Sequence, residues 1–236
     1  MKPKKIIDLL FPKRCSICDT VLPFLQGEEG ICGKCKKGIR YLTGSLCLKC
    51  GKAVKEEEEY CYDCSHKSHL FVQGAALFPY EYIRASLYRF KYSGRQEYAG
   101  FYAKQMAERL TPLVRRWRPQ ALVPVPMYRR KKRLRGYNQA EVLAAELSKI
   151  WNIPVEKGLV VRVKNTRPMK EIDGAERQNN LKKAFKLAEN DVKLNTILVI
   201  DDIYTTGSTV DAVTKVCHEA GIRKVYVLSV SIGHGC

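Results

Sequence analysis

Residues 197–209 read ILVIDDIYTTGST. Four apolar residues, Ile197 to Ile200, read as a buried strand and lead into two acids, Asp201 and Asp202. Thr205, Thr206, Gly207, Ser208 and Thr209 then open a predicted helix over 208–219. Hydroxyls and backbone N–H groups at a helix N-terminus make a cup for a phosphate dianion. Gly207, with no Cβ, lets the backbone approach such a ligand closely. A carboxylate beside the cup repels phosphate, so Asp201 and Asp202 face something else, such as the hydroxyls of a sugar. A strand whose acids merely cap the next helix needs one such residue, and this segment holds many. The segment is not a P-loop, because G-x-x-x-x-G-K-[ST] is absent.

Working outward, apolar strand-like runs alternate with helical patterns. Residues 71–80, 121–126, 159–163, 196–201 and 224–231 read as strands. Residues 81–92, 96–116 and 138–151 read as helices, the last with Asn138 as N-cap and Glu141 three residues on, resembling a capping box. This alternation predicts an α/β fold with a mostly parallel sheet covered on both faces. Ligands in such folds bind at the carboxyl ends of the strands. The loops after 126, 163 and 201 then share one edge if their strands are parallel.

Two of those loops are charged. Six of the seven residues 129–135 are basic: Arg129, Arg130, Lys131, Lys132, Arg133 and Arg135. Arginine forks of this kind hold phosphate and pyrophosphate bidentately. Six cations exceed what one ligand can contact, so several face solvent or a second polyanion. Residues 162–185, RVKNTRPMKEIDGAERQNNLKKAF, are polar and read as a long loop suited to a lid.

Composition changes near residue 66. Eight of the ten cysteines lie before it, as the pairs Cys15/Cys18, Cys32/Cys35, Cys47/Cys50 and Cys61/Cys64. Each pair is a knuckle able to give two thiolates to a tetrahedral Zn²⁺. Sequential pairing makes a double zinc ribbon and interleaved pairing a cross-brace; sequential closure needs the shorter loops. Four copies exceed what a redox Cys-x-x-Cys site needs. The expectation is two closed structural Zn²⁺ sites in a domain over 1–66, followed by a second domain over 67–236. His66 and His69 are expected at the surface, since the thiolate sets are complete, and Cys217 in the core.

The charge is as uneven as the cysteines. Of the formal +18, residues 1–66 hold a net +3, residues 67–190 a net +16 and residues 191–236 a net −1. Such an excess attracts polyanions, whether phosphorylated metabolites, nucleic acid or acidic surfaces. No run of about 18 apolar residues occurs, so no membrane span is expected. The N-terminal MKPKKIIDLLFPKRC has too short an apolar part for a signal peptide and reads as a short amphipathic helix or tail. With no secretory signal, paired cysteines favour metal ligation in a cytoplasmic location over disulfides.

Four apolar residues, two acids and a Thr-Gly-x-Thr turn resemble the signature of type I phosphoribosyltransferases. That resemblance implies that Asp201 and Asp202 bind ribose hydroxyls and that Thr205, Thr206, Gly207, Ser208 and Thr209 hold the 5-phosphate of phosphoribosyl pyrophosphate. It further implies that 129–135 receives the pyrophosphate, with Mg²⁺ as the accompanying ion. Further elements narrow the likeness: Phe90-Lys91-Tyr92-Ser93-Gly94, Arg135-Gly136-Tyr137-Asn138-Gln139, Arg162 and Thr166, Glu-Arg-x-x-Asn, and Ala184-Phe185. With the cysteine-rich N-terminus they resemble the ComF/GntX-type competence proteins over nearly the whole chain. Met169 stands where that family's lid usually has Gln. The resemblance implies a role in competence and uptake of transforming DNA, with single-stranded DNA and other competence proteins as partners. The alternative is an active phosphoribosyltransferase of nucleotide metabolism or salvage with no DNA role; no catalytic residue identifies an acceptor. Aromatics over 82–92 either stack bases or serve the core at helical spacing.

Overall fold

The apolar run before the two acids is the centre of the molecule: Ile197, Leu198, Val199 and Ile200 are all fully buried. A strand buried on consecutive residues must be covered on both faces. The computed structural model describes residues 12–23, 30–163, 184–187 and 193–233. Its helices are α1 (Gly33–Lys37), α2 (Tyr62–His66), α3 (Tyr80–Tyr92), α4 (Tyr98–Trp117), α5 (Arg129–Arg135), α6 (Gln139–Trp151) and α7 (Ser208–Glu219). Its strands are β1 (Gln73–Pro79), β2 (Ala121–Pro124), β3 (Val160–Arg162), β4 (Phe185–Leu187), β5 (Thr196–Tyr204) and β6 (Lys224–Ile232).

β1, β6, β5 and β2 form one sheet in that order, every pairing parallel. Alternate side chains go to two separate cores. Leu198, Ile200, Leu228 and Val230 pack with Phe90 of α3, Tyr102 and Met106 of α4 and Leu143 and Leu147 of α6. Ile197, Val199, Val225 and Val227 pack with Val213, Val216 and Cys217 of α7. The expected α/β sheet is therefore present, and Cys217 is a core residue.

Several expectations change. The strand expected at 159–163 does not join the parallel sheet: β3 pairs antiparallel with β4, whose first residue, Phe185, is the last of the expected loop, and the pair packs beside α7. Three residues with one buried face suffice for a flap but not for a doubly covered sheet position. β5 runs on to Tyr204, pairing Ile203 with Ser231 and Tyr204 with Ile232, so both acids lie within the strand. Residues 129–135 form a short helix rather than an open loop, ended by Gly136 at φ 86. Arg, Lys and Leu all have high helix propensity, which explains the change. Asn138 does cap α6, accepting from Ala140 N at 3.2 Å, but Glu141 meets Asn138's side-chain amide instead of closing a capping box. The lid at 164–183, the tail at 1–11 and Cys236 lie outside the described residues. Among the described residues, no helix is long and apolar enough to cross a membrane.

The cysteine knuckles pack on both faces of the sheet. Cys15, Leu22 and Ile31 belong to the core under α3 and α4, while Cys47, Cys50 and Cys61 join the core under α7. The first ribbon is pinned through Asp19, which pairs with Arg14 and Arg95 and accepts from Tyr98 Oη. The second is pinned to the start of β1 by Gly74 N to Lys49 O at 2.7 Å and Gln73 Nε2 to Leu48 O at 3.1 Å.

Candidate functional site

At the carboxyl end of β5, Asp202 is buried and Asp201 partly so. Adjacent residues of a strand point to opposite faces, yet Asp201 also accepts from Asp202 N at 2.8 Å, which holds its carboxylate beside the strand end. Lys91, in the last turn of α3, reaches Asp202 at 3.0 Å. Burial pushes the Asp201 carboxyl well above the ordinary carboxylate range, and the neighbouring Asp202 charge adds to this against the pull of Lys91. Burial works to lower the Lys91 ammonium, but the charge and hydrogen bond of Asp202 and the charge of Asp201 outweigh it and hold its pKa high. The cluster is thus two acids sharing one counter-charge. It favours a ligand that brings a second cation or a set of hydroxyl donors.

Lys91 is held there by a motif more than forty residues away in sequence. Tyr137 Oη donates to the Phe90 carbonyl, and Gln139 Nε2 reaches the same carbonyl at 3.4 Å. Asn138 Nδ2 donates to Val125 O at 2.9 Å, tying the same segment to the end of β2. The Arg-Gly-Tyr-Asn-Gln run is therefore a clamp joining α3, β2 and α6.

Past the acids, the chain turns through 205–209 into α7. Gly207 is the N-cap, at φ 73, in the left-handed region. On sequence grounds Gly207 lets a ligand approach; the structure adds a reason on the other side. A Cβ there would overlap the Tyr204 hydroxyl and come within 2.7 Å of His69 Cε1. Thr206 Oγ1 and Ser208 Oγ lie 3.1 Å apart at the start of the helix. His69, expected at the surface, is buried beneath this turn with its side chain fully enclosed, its Nδ1 2.8 Å from Asp211 Oδ2. The reason is Asp211: its carboxylate in the first turn of α7 also accepts from Leu70 N at 3.0 Å and draws the segment after the zinc knuckles under the cup. His66, by contrast, is exposed and stacks on Tyr62.

The cations of α5 divide. Arg129, Arg130, Lys132 and Arg133 are exposed, Lys132 pairing with Glu141 at 2.6 Å. Lys131 and Arg135 are half-buried. Arg135 donates to Gln139 Oε1 at 2.7 Å and lies over the Tyr92 ring at 4.7 Å. Arg162, at the end of β3, links this side to the acids. Burial lowers its pKa, and the charge of Asp201 opposes that. Burial, then Arg162 and Arg135, lower the Lys131 ammonium. Arg162 thus feels the charge of Asp201 on one side and lies near Lys131 on the other.

In the N-terminal module, the Sγ atoms of Cys15, Cys18, Cys32 and Cys35 all lie within 4.8 Å of one another, as do those of Cys47, Cys50, Cys61 and Cys64. Tetrahedral Zn–S bonds of about 2.3 Å place sulfurs about 3.8 Å apart. The Cys18–Cys32 and Cys50–Cys61 separations of 3.8 and 3.6 Å match. Both clusters can bind Zn²⁺, and each closes sequentially rather than as a cross-brace. Backbone N–H groups of Cys32 and Cys35 point at the Cys15 and Cys32 sulfurs, at 3.4 and 3.5 Å, as thiolates require.

The Double zinc ribbon domain family matches residues 6–65. The chain is 29% identical over 228 residues to Competence protein F of Haemophilus influenzae, covering 92% of this chain and 96% of that protein. It is 28% identical over 226 residues to the DNA utilization protein YhgH of Escherichia coli, covering 93% and 96%. It is 26% identical over 234 residues to Competence protein ComFC of Bacillus subtilis, covering 88% and 89%. Over nearly its whole length the chain is similar to these competence and DNA-utilization proteins. A solved adenine phosphoribosyltransferase from Leishmania tarentolae overlays 53% of this chain and 71% of its own, at 14% identity and a TM-score of 0.28. The chain joins a double zinc ribbon to a parallel α/β sheet.

The acids and the 205–209 turn follow the carboxyl end of β5, and the half-buried Lys131 and Arg135 belong to the helix that follows the carboxyl end of the parallel neighbour β2, while Arg129, Arg130 and Arg133 are exposed. The sequence signal for Lys91 is a lysine just before a helix-breaking Ser-Gly. His69 had no usable signal, because its burial depends on Asp211, 142 residues along the chain.

Proposed function

We propose that this chain binds phosphoribosyl pyrophosphate with Mg²⁺ and acts in the handling of transforming DNA in the cytoplasm. The observation that carries the reading is the acid pair at the end of β5, with a hydroxyl-rich helix start on one side and Arg162, Lys131 and Arg135 on the other. In this reading Asp201 and Asp202 accept from the ribose 2- and 3-hydroxyls, and Thr205, Thr206, Gly207, Ser208 and Thr209 hold the 5-phosphate. Lys131 and Arg135 take the pyrophosphate, while Arg129, Arg130, Lys132 and Arg133 serve a second polyanion. Bound Mg²⁺ would supply charge neutralisation between the pyrophosphate oxygens and the acids. Lys91 pairs with Asp202 at 3.0 Å. Residues 1–66 serve as the zinc-binding domain and 67–236 as the ligand domain.

Exposed aromatics beside the site support single-stranded DNA as the second polyanion. Tyr88 and Tyr92 are 61% and 63% exposed, their rings 5.0 Å apart, with Arg135 over Tyr92. Bases stack on such rings with little regard to sequence. Ile83, Leu87 and Phe90 of the same helix are core, so the aromatic run divides between both roles. The names of the relatives, which mention competence and DNA utilization, agree with this reading, and other competence proteins are the natural partners.

Calorimetry tests the premise. Wild type should bind phosphoribosyl pyrophosphate with Mg²⁺, and the Asp201→Asn/Asp202→Asn protein should lose most of that affinity. Equal affinity would remove the ligand from this site. Pyrophosphate release across a panel of bases and amines then separates a binding protein from a salvage enzyme.

A further inference from the structure

The turn 205–209 contains five residues and no cation. A phosphate dianion held only by hydroxyls and N–H groups lacks a full counter-charge, and charge-assisted bonds are roughly twice as strong as neutral ones. Among the described residues, one ammonium reaches this turn from outside. Lys67 Nζ lies 3.4 Å from Ser208 Oγ and 3.5 Å from Thr206 O, with its side chain 30% exposed. It stands three residues after Cys64, the last ligand of the second cysteine cluster.

The position of Lys67 is built, not incidental. Asp211 binds it at 3.2 Å and also holds His69 Nδ1 and Leu70 N. A carboxylate only accepts, so His69 Nδ1 carries the proton. His69 Nε2 and Tyr204 Oη are buried without hydrogen-bond partners among the described residues, and both rings abut Gly207. They fill the space beside Gly207 beneath the turn. An acid in the first turn of a phosphate-binding helix would ordinarily repel the ligand. Here three donors from 67–70 occupy it, and it serves as the anchor of the segment that brings the lysine.

We infer that Lys67, delivered by the second zinc knuckle and anchored on Asp211, is a direct ligand of the 5-phosphate of the bound sugar. The phosphate site then takes one ligand from the segment that directly follows the zinc-binding domain, and the inference rests on the proposed phosphoribosyl reading. An incoming phosphate oxygen takes one ammonium N–H from Ser208, while Asp211 retains another.

The test uses the zinc-loaded full chain and two probes in calorimetry, ribose 5-phosphate and Mg²⁺-pyrophosphate. Lys67→Met should lower ribose 5-phosphate affinity about tenfold, the order expected for one charge-assisted bond, and leave pyrophosphate affinity unchanged. Lys67→Arg should restore most of it. Asp211 keeps His69 and Leu70 in either variant, so folding is preserved. Wild-type ribose 5-phosphate affinity in Lys67→Met, or equal loss of both probes, overturns the inference. If Asp202→Asn loses ribose 5-phosphate while Lys67→Met does not, only this inference falls. If wild type binds neither ribose 5-phosphate nor phosphoribosyl pyrophosphate, the parent reading falls with it.

Discussion

Asp201 is the residue whose environment makes the sharpest demand. Burial, then the charge of Asp202, raises its pKa in the folded chain, against Lys91. A carboxyl raised on folding contributes stability that is complete below its ordinary pKa and is lost as pH rises through the raised value. The ligand-free protein should therefore lose stability over that interval, and Asp201→Asn should flatten the loss in urea unfolding measured at several pH values. Ligand binding should run the other way, strengthening with pH as the carboxylate ionises and accepts from hydroxyls. A pH-independent affinity would mean that Asp201 does not touch the ligand. Gly207 makes a steric demand instead. Gly207→Ala should cost about 1–2 kcal/mol for its left-handed backbone, plus the overlap with Tyr204 and His69. Thermal unfolding would read the first effect, and loss of ribose 5-phosphate binding the displacement of the turn.

α5 shows how an element can divide its charges. Its length and Gly136 set which cations turn inward: Lys131 and Arg135, at i and i+4, lie on the half-buried face. Arg129, Arg130 and Arg133 are left to solvent. Replacing those three with Gln should flatten the salt dependence of single-stranded DNA binding by roughly 0.7 of a slope unit for each phosphate no longer neutralised, and spare phosphoribosyl pyrophosphate. Replacing Lys131 and Arg135 should weaken the latter. Titrations of both ligands across salt concentrations check this, and a single common effect would show the helix to serve one ligand only. The clamp formed by Tyr137, Asn138 and Gln139 acts at the same scale, since it fixes the end of α3 and with it Lys91.

In the whole molecule, the zinc ribbons are part of the core rather than appendages. One packs under α3 and α4 and the other under α7. Stripping Zn²⁺ with a chelator should lower the unfolding temperature of the entire chain in one cooperative transition. Calorimetry showing an α/β unit that melts unchanged would instead make the ribbons independent. Because Cys64 leads directly to Lys67 and His69, chelation should also weaken ribose 5-phosphate binding before it unfolds the sheet.

Local chemistry was legible along the chain. The run 197–209 carries its strand, its acids and its cup within thirteen residues, and the cysteine spacings carry two four-thiol sites. These are short-range patterns, fixed by backbone period and by knuckle geometry. The strand assignments of β1, β2, β5 and β6 follow for the same reason. Only the tertiary structure decided that β3 leaves the sheet to pair with β4, which face of the basic helix turns inward, and that the ribbons straddle the sheet. It alone brought Lys91 to Asp202 and His69 and Lys67 to Asp211. The physical reason is common to all of these: each depends on a charge or an apolar face meeting a partner far along the chain. No periodicity in the sequence records which distant partner a side chain will find.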